Sequence, residues 1–334
     1  MPFNPNQISR RPFLANALAG LTMARSPAGT ITAPSKAQIA ITLDLEMSRH
    51  YPRRDMMEWD FQKGNLNQPT KEYSLEAARV ANEAGGLIHY FCVGRVLEQP
   101  DVDWLNQISA MGHPIGNHTY DHVNVWTQDP AKTQFRFQRS PWLIEGKSAS
   151  QIVRENIRLT THAMKQRLNL TPDGFRTPGG AYKALDGRED LQQMLLDEGF
   201  TWVSSKYPQH EYGIAKQPPT TKVLDSIVEA MNQAQPYVYP TGLLEIPMSP
   251  ISDVGAFRTN FWSLDDYLNS VRLCVEWAIE HRGVFDLLCH PSIMYVEDPE
   301  FRMIRLVCDL VRQASGRAEI VGLGSIASRS LSSA

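Results

Sequence analysis

Eight short apolar or β-branched runs, most of them separated by stretches with helical periodicity, limit what this 334-residue chain can fold into more than any other feature. The first, residues 38–44, reads Gln-Ile-Ala-Ile-Thr-Leu-Asp, a buried strand ending on a carboxylate. Further strands are expected at 86–93, 114–117, 174–176, 201–205, 243–246, 284–289 and 319–323. Helices fit at 74–84, with Ser74 as N-cap, and at 102–111, 150–168, 189–198, 264–281 and 299–313. This alternation predicts an α/β fold, either a β/α barrel or a doubly wound sheet, counted most simply as one domain. Segments 123–149 and 206–242 are polar and rich in Pro, Gln, Trp and Tyr, and read as long loops over one face.

Thirty-three basic against 36 acidic residues leave a net charge of -3, which gives no footprint for a nucleic-acid partner. No run of about 18 apolar residues is present to span a bilayer as a helix. Cys92, Cys274, Cys289 and Cys308 lack C-x-x-C spacing and read as buried thiols rather than a zinc ribbon or disulfide framework. At the N-terminus, Arg10-Arg11 precedes Phe13-Leu14, a mildly apolar stretch to Ala24, and small residues around Ser26-Pro27-Ala28. That layout is a twin-arginine export signal. Residues 1–33 are accordingly expected to be signal and linker, residues 34–334 the catalytic domain, and the destination the periplasm or the cell exterior.

Four patterns fall at or just after expected strand ends, where barrels and doubly wound sheets carry their active residues. They are Asp44-Leu45-Glu46, His118-Thr119-Tyr120-Asp121-His122, Arg176-Thr177-Pro178-Gly179-Gly180 and Leu287-Leu288-Cys289-His290. His118 and His122, four apart, would share a metal if they lay on one helical turn. Asp44 and Glu46, two apart, would face the same way on a strand, so one can complete a two-His-one-carboxylate set while the other stays free as a base. Arg176 offers a guanidinium on a stiff turn that can grip a carboxylate. His290, at the mouth of a buried strand, can act as an acid in proton transfer. His50, His89, His113 and the Glu58-Trp59-Asp60 cluster read as structural or rim positions.

Taken in order, these patterns resemble the polysaccharide deacetylase family of the NodB homology type, over roughly residues 38–325. His118-Thr119-x-x-His122 corresponds to its second motif, Arg176-Thr177-Pro178-Gly179-Gly180 to its third and Leu287-x-x-His290 to its last. The resemblance implies an irregular barrel of seven or eight β/α units with Asp44 as base, His118 and His122 as metal ligands, Arg176 orienting Asp44, and His290 as acid. Two features depart from the family pattern. Leu45 stands where the family has a second Asp, which passes the ligand role to Glu46, a D-x-E form similar to intracellular-type peptidoglycan deacetylases and allantoinase-like relatives. The stretch 199–205 offers only hydroxyls where an Asp supports the acidic histidine, so the residue that tunes His290 is left open.

The activity this implies is metal-dependent removal of an acetyl group, N-acetyl first, from a cell-wall or exopolysaccharide sugar. Zinc is the default metal, with Co, Fe or Ni as other choices. A backbone N–H near Tyr120 or Asp121 is expected to help hold the oxyanion. Trp126, Trp142, Tyr207, Tyr237 and Tyr239 are candidates for stacking on an acetylated glycan substrate. The competing readings are a hydrolase of a small cyclic amide and an inactive carbohydrate-binding barrel. Nothing in these residues fixes an oligomeric state.

Overall fold

The computed structural model describes residues 35–48 and 63–332; the expected export signal, His50 and the 58–60 cluster lie outside them. Strand β1 (Ala37–Leu45) shows how the chain builds its two layers. Ile39, Ile41, Leu43 and Leu45 pack with the helices outside the sheet, and Ala40 joins an inner apolar cluster. Thr42 and Asp44 share the inward parity of Ala40, and every residue of the strand is buried. A strand that is buried on both faces has to be nearly all apolar, so its few polar residues mark positions where the interior offers partners.

β1 is joined by β2 (Ile88–Cys92), β3 (Ile115–Asn117), β4 (Phe175–Ala181), β5 (Trp202–Lys206), β6 (Tyr237–Val238), β7 (Leu244–Glu245), β8 (Val284–Cys289) and β9 (Ala318–Ile320). Their order is β6-β7-β5-β4-β3-β2-β1-β8, with β9 beside the first third of β1. All pairings are parallel except β6 with β7. The sheet curls into the expected irregular β/α barrel. No strand ladder joins β7 to β8 among the described residues; the Ser249 N–H donates to the Asp286 carbonyl at 2.7 Å and bridges that gap.

The lower interior is apolar. Phe91, Trp202, Leu244, Ile246 and Val284 meet Val321 and, from the helix Leu323–Ser332, Leu323, Ile326 and Ala327. Cutting one such large side chain to alanine costs about 2–5 kcal/mol. Gly174 makes room for Trp202: a Cβ there would fall 1.9 Å from the indole, and its φ of +78° already disfavours any side chain.

Several expected boundaries shift for local reasons. The helix expected at 74–84 runs Gln68–Glu83 because Asn67 caps the Thr70 N–H and Pro69 fits the first turn; Ser74 is interior and donates back to the Thr70 carbonyl. Segment 206–242 is not a continuous loop, since Thr220 caps a helix at Thr221–Ala230 and β6 follows. Segment 123–149 holds only short helical turns, including Phe135–Arg139. The last expected strand ends at Ile320, and Leu323 starts a helix instead. The four cysteines are buried free thiols, as expected.

Candidate active site

Above the apolar floor the barrel interior turns polar around one side chain. Arg176 projects inward from β4 and is completely buried. Its Nη1 donates to Thr42 Oγ1 at 2.7 Å and to Asp44 Oδ1 at 3.1 Å; its Nη2 donates to Ser204 Oγ at 3.1 Å and to Asp286 Oδ2. The guanidinium carbon lies 4.3 Å from the centre of the Phe91 ring. Burial by itself would lower its pKa, but the Asp286 and Asp44 carboxylates outweigh that and raise it. Arg176 is therefore a permanent cation on a strand, not on the stiff turn expected. The Thr-Pro-Gly-Gly stretch that follows falls where β4 and β5 shift register, between Arg176 and Ala181.

His118 directly follows β3. Its Nδ1–H donates to the Arg176 carbonyl at 2.9 Å, which fixes the tautomer and leaves Nε2 as a lone-pair donor. That Nε2 lies 3.4 Å from Glu46 Oε2 and 3.7 Å from Asp44 Oδ2, and His122 Nε2 lies 2.7 Å from the same Glu46 oxygen. The two histidines do not share a helical turn. Thr119 and His122 have φ of 58° and 55°, and the loop is held by Asn117 accepting the Thr119 N–H and Thr119 Oγ1 accepting the Val123 N–H. The i, i+4 pair converges through this tight loop, with ring centres 5.0 Å apart. Burial pushes the His122 pKa down to about 4 despite Glu46, so the ring is neutral, the form that binds metal.

Glu46, just past the end of β1, is 3% exposed. Lys63 Nζ ion-pairs with its Oε1, whereas the buried Oε2 faces the Nε2 atoms of His118 and His122. Burial alone would raise its pKa, but His122 and Lys63 hold it well below the ordinary value. One ligand atom each from Glu46, His118 and His122 lie within 4.8 Å of one another. A buried carboxylate oxygen facing two imidazole nitrogens is a donor set that fits a divalent cation with N,O preference.

His290 follows β8. Its Nδ1–H donates to Asp253 Oδ1 at 2.9 Å, its backbone N–H donates to Asp253 Oδ2, and its Nε2 lies 3.6 Å from Glu46 Oε1. Burial opposes the imidazolium, but Asp253, Glu46 and Asp44 outweigh it and raise the pKa. Asp44, Glu46, His118, His122 and His290 all border one cavity of about 350 Å³. That volume suits a sugar-sized or small-amide ligand.

Tyr120 and Asp121 are not brought to this cavity. The Asp121 N–H donates to Asn156 Oδ1 at 2.8 Å, its carboxylate pairs with Arg136, and the Tyr120 hydroxyl donates to Glu98. The Asp121 N–H is thus used in holding the loop. Of the five expected aromatics, Tyr207 borders the cavity. Trp126 bonds the Ala184 carbonyl, Tyr237 and Tyr239 bond each other, and Tyr239 also bonds Glu245, while Trp142 is exposed elsewhere. Sequence reasoning missed Asp253, Asp286 and Lys63. Asp286 interrupts the apolar run 284–289 at an inward position, and that was a usable signal; Asp253 and Lys63 carry none.

An irregular β/α barrel with its polar centre at the carboxyl ends of the strands defines the class of the fold and the place of its active centre. Within that class the family model for polysaccharide deacetylase matches residues 61–194, so the chain is similar to that family there. None of the curated proteins compared with the chain matches it. Among solved structures, a Mycobacterium smegmatis protein classed as a polysaccharide deacetylase is similar at TM-score 0.58 and 16% identity, covering 92% of this chain and 94% of that one. A second, from Pseudomonas aeruginosa PAO1, is similar at 0.57 and 12%, covering 87% and 90%. The Puue allantoinase is similar at 0.57 and 13%, covering 91% and 93%. At these identities the three share the fold.

Proposed function

We propose that this chain is a metal-dependent hydrolase that removes acetyl groups, N-acetyl first, from a carbohydrate. The observation that carries the reading is the convergence of Glu46, His118 and His122 beside two prepared proton-handling groups, Asp44 held by Arg176 and His290 held by Asp253. A divalent cation held by the three ligands, zinc by default, supplies Lewis acidity for the acyl oxygen and for water. Asp44 takes a proton from the attacking water; Arg176 keeps the carboxylate pointed at the cavity. His290 gives a proton to the leaving amine nitrogen, and the Asp253 carboxylate stabilises the charged imidazole until that transfer. Asp253 fills the supporting role that the 199–205 stretch does not.

The test is elemental analysis of the purified protein together with acetate release from acetylated glycans, for wild type, His118→Ala and Glu46→Ala. About one metal per chain, lost with acetate release in both variants, supports the proposal. A wild type that neither holds metal nor gains activity with added Zn or Co sinks it. A second reading, hydrolysis of a small cyclic amide, is favoured by one observation: Lys63 already places a cation on Glu46. Ring opening of a cyclic imide or ureide without acetate release from any glycan would select it.

We also propose residues 1–33 as an export signal. Replacing Arg10 and Arg11 by Lys should retain the protein in the cytoplasm, and unchanged export would remove the assignment.

A further inference from the structure

Asn117 and Asp121 stand directly before the two candidate histidine ligands, His118 and His122. Both are tied to one stretch of the helix Ala149–Leu168. Asn117 Nδ2 donates to the Ile157 carbonyl at 2.9 Å and to Thr161 Oγ1 at 3.0 Å, and the Asp121 N–H donates to Asn156 Oδ1 at 2.8 Å. Asn156 is 3% exposed and lies inside the helix, where asparagine is a poor helix former and a buried amide has to find partners. It finds them on both sides: Nδ2 donates to the Ile152 carbonyl at 3.1 Å, one turn back, which leaves Oδ1 for the Asp121 N–H. The loop needs such a hold, because Thr119 and His122 take left-handed φ, a strained state for a β-branched threonine that persists only where the surroundings impose it. The Gly94 and Arg95 N–H groups add to it by donating to the Thr119 and Tyr120 carbonyls at 2.9 and 3.1 Å. Gly94 itself is wedged between loop and helix, since a Cβ there would fall 2.5 Å from the Tyr120 ring and 2.6 Å from Thr160 Oγ1.

We propose that Asn156 is a positioning residue: through the Asp121 N–H it sets where His122 stands relative to His118, and so how tightly the pair, together with Glu46, holds a divalent cation. The inference rests on the metal site of the proposed function and not on its substrate. Asn117 fixes the His118 end on the same helix, so the helix acts as a ruler between two imidazoles whose ring centres are 5.0 Å apart. A capping box of Ser148 with Gln151 pins the start of that ruler. Without Oδ1 the Asp121 N–H loses its acceptor in a buried loop, and the backbone at His122 is free to leave the left-handed region. His122 then moves while His118 stays.

Zinc affinity, by competition with a chromophoric chelator, and the visible spectrum of the Co(II)-loaded protein are the readouts. They are taken on wild type, Asn156→Ala, Asn156→Asp and Val153→Ala, with thermal melts of each protein before metal is added. Val153 is buried in the apolar cluster on the same helix and controls for lost packing alone. Asn156→Ala should weaken zinc binding by about tenfold or more and alter the Co(II) bands. Asn156→Asp keeps an acceptor for the Asp121 N–H and should regain most of the affinity. Val153→Ala should melt lower yet bind zinc within about twofold of wild type. Asn156→Leu, similar in volume and without the acceptor, gives the same reading if the alanine variant does not fold. Unchanged affinity in a folded Asn156→Ala or Asn156→Leu protein overturns the inference, and so does an equal loss in Val153→Ala. Zinc binding that depends on Asn156, with no acetate released from any acetylated glycan, supports the inference and removes the deacetylase reading. Acetate release by the metal-loaded protein with no dependence on Asn156 does the reverse, and a wild type that binds no metal overturns both.

Discussion

His89 and His118 both project into the interior of the same barrel, from neighbouring strands, yet their nitrogens are used in opposite ways. His89, on β2, is completely buried; its Nε2–H donates to the Asp173 carbonyl and its Nδ1 accepts the Leu323 N–H, while its ring stacks on Phe91 at 4.6 Å. Burial and the nearby Arg176 push its pKa down to about 3. His118 spends only Nδ1 on the backbone and turns Nε2 toward two carboxylates. A histidine with both nitrogens satisfied by backbone is a core residue, and one with a nitrogen left over at the strand mouth is a site.

That contrast can be broken most sharply at the mouth. His118→Ala or Glu46→Ala should abolish metal binding and bring acetate release down by about a thousandfold or more. His89→Ala should do the opposite, keeping bound metal while losing about 2–4 kcal/mol of stability by urea titration. A metal-free but stable His89→Ala protein would erase the distinction.

Arg176 joins the two regions, so its loss should register in both. Arg176→Met strands Asp286 and Asp44 as buried charges, at about 3–5 kcal/mol of stability. A denaturant midpoint within about 1 kcal/mol of wild type would show that water relieves them. At the acid, Asp253→Asn should lower the rate about a hundredfold. Because Asp253 raises the His290 pKa, its removal should also move the alkaline limb of the pH–rate profile to lower pH. An unmoved limb would assign that limb to another group.

The smallest effect separates the histidines by pH alone. The folded pKa of His89 lies below its unfolded value near 6.5, so the unfolded state takes up more protons and stability falls as pH drops through that window toward 3. His89 alone then removes about 2 kcal/mol by pH 5, and His89→Gln should flatten that part of the stability curve. An identical slope in the variant would mean that another buried histidine, His113 or His122, sets it.

Strands with inward and outward parity were legible: β8 runs Val284–Cys289 as read, and β1 differs by one residue at each end. The motif residues Asp44, Glu46, His118, His122, Arg176 and His290 were legible because their four patterns fall at or just after expected strand ends. What stayed hidden depends on contacts between distant segments. Asp253 meets His290 across 37 positions and Lys63 meets Glu46 across 17, and neither sits in a periodic pattern. The His118–His122 loop was misread because αL residues mimic the spacing of a helical turn without its hydrogen bonds.

The bridge at Ser249 has a mechanical consequence. A barrel closed by a strand ladder has a fixed girth, since widening it breaks a row of bonds at once. Here, among the described residues, side chains and single bonds take the place of a ladder: the Ser249 N–H donates to the Asp286 carbonyl, its Oγ accepts the Leu288 N–H, and the Gln235 amide bonds both the N–H and the carbonyl of Val284. Asp286 is shared: its carbonyl accepts the Ser249 N–H at the seam while its carboxylate anchors the guanidinium beside Asp44. The closure of the barrel and the aim of the carboxylate are thus tied through one residue.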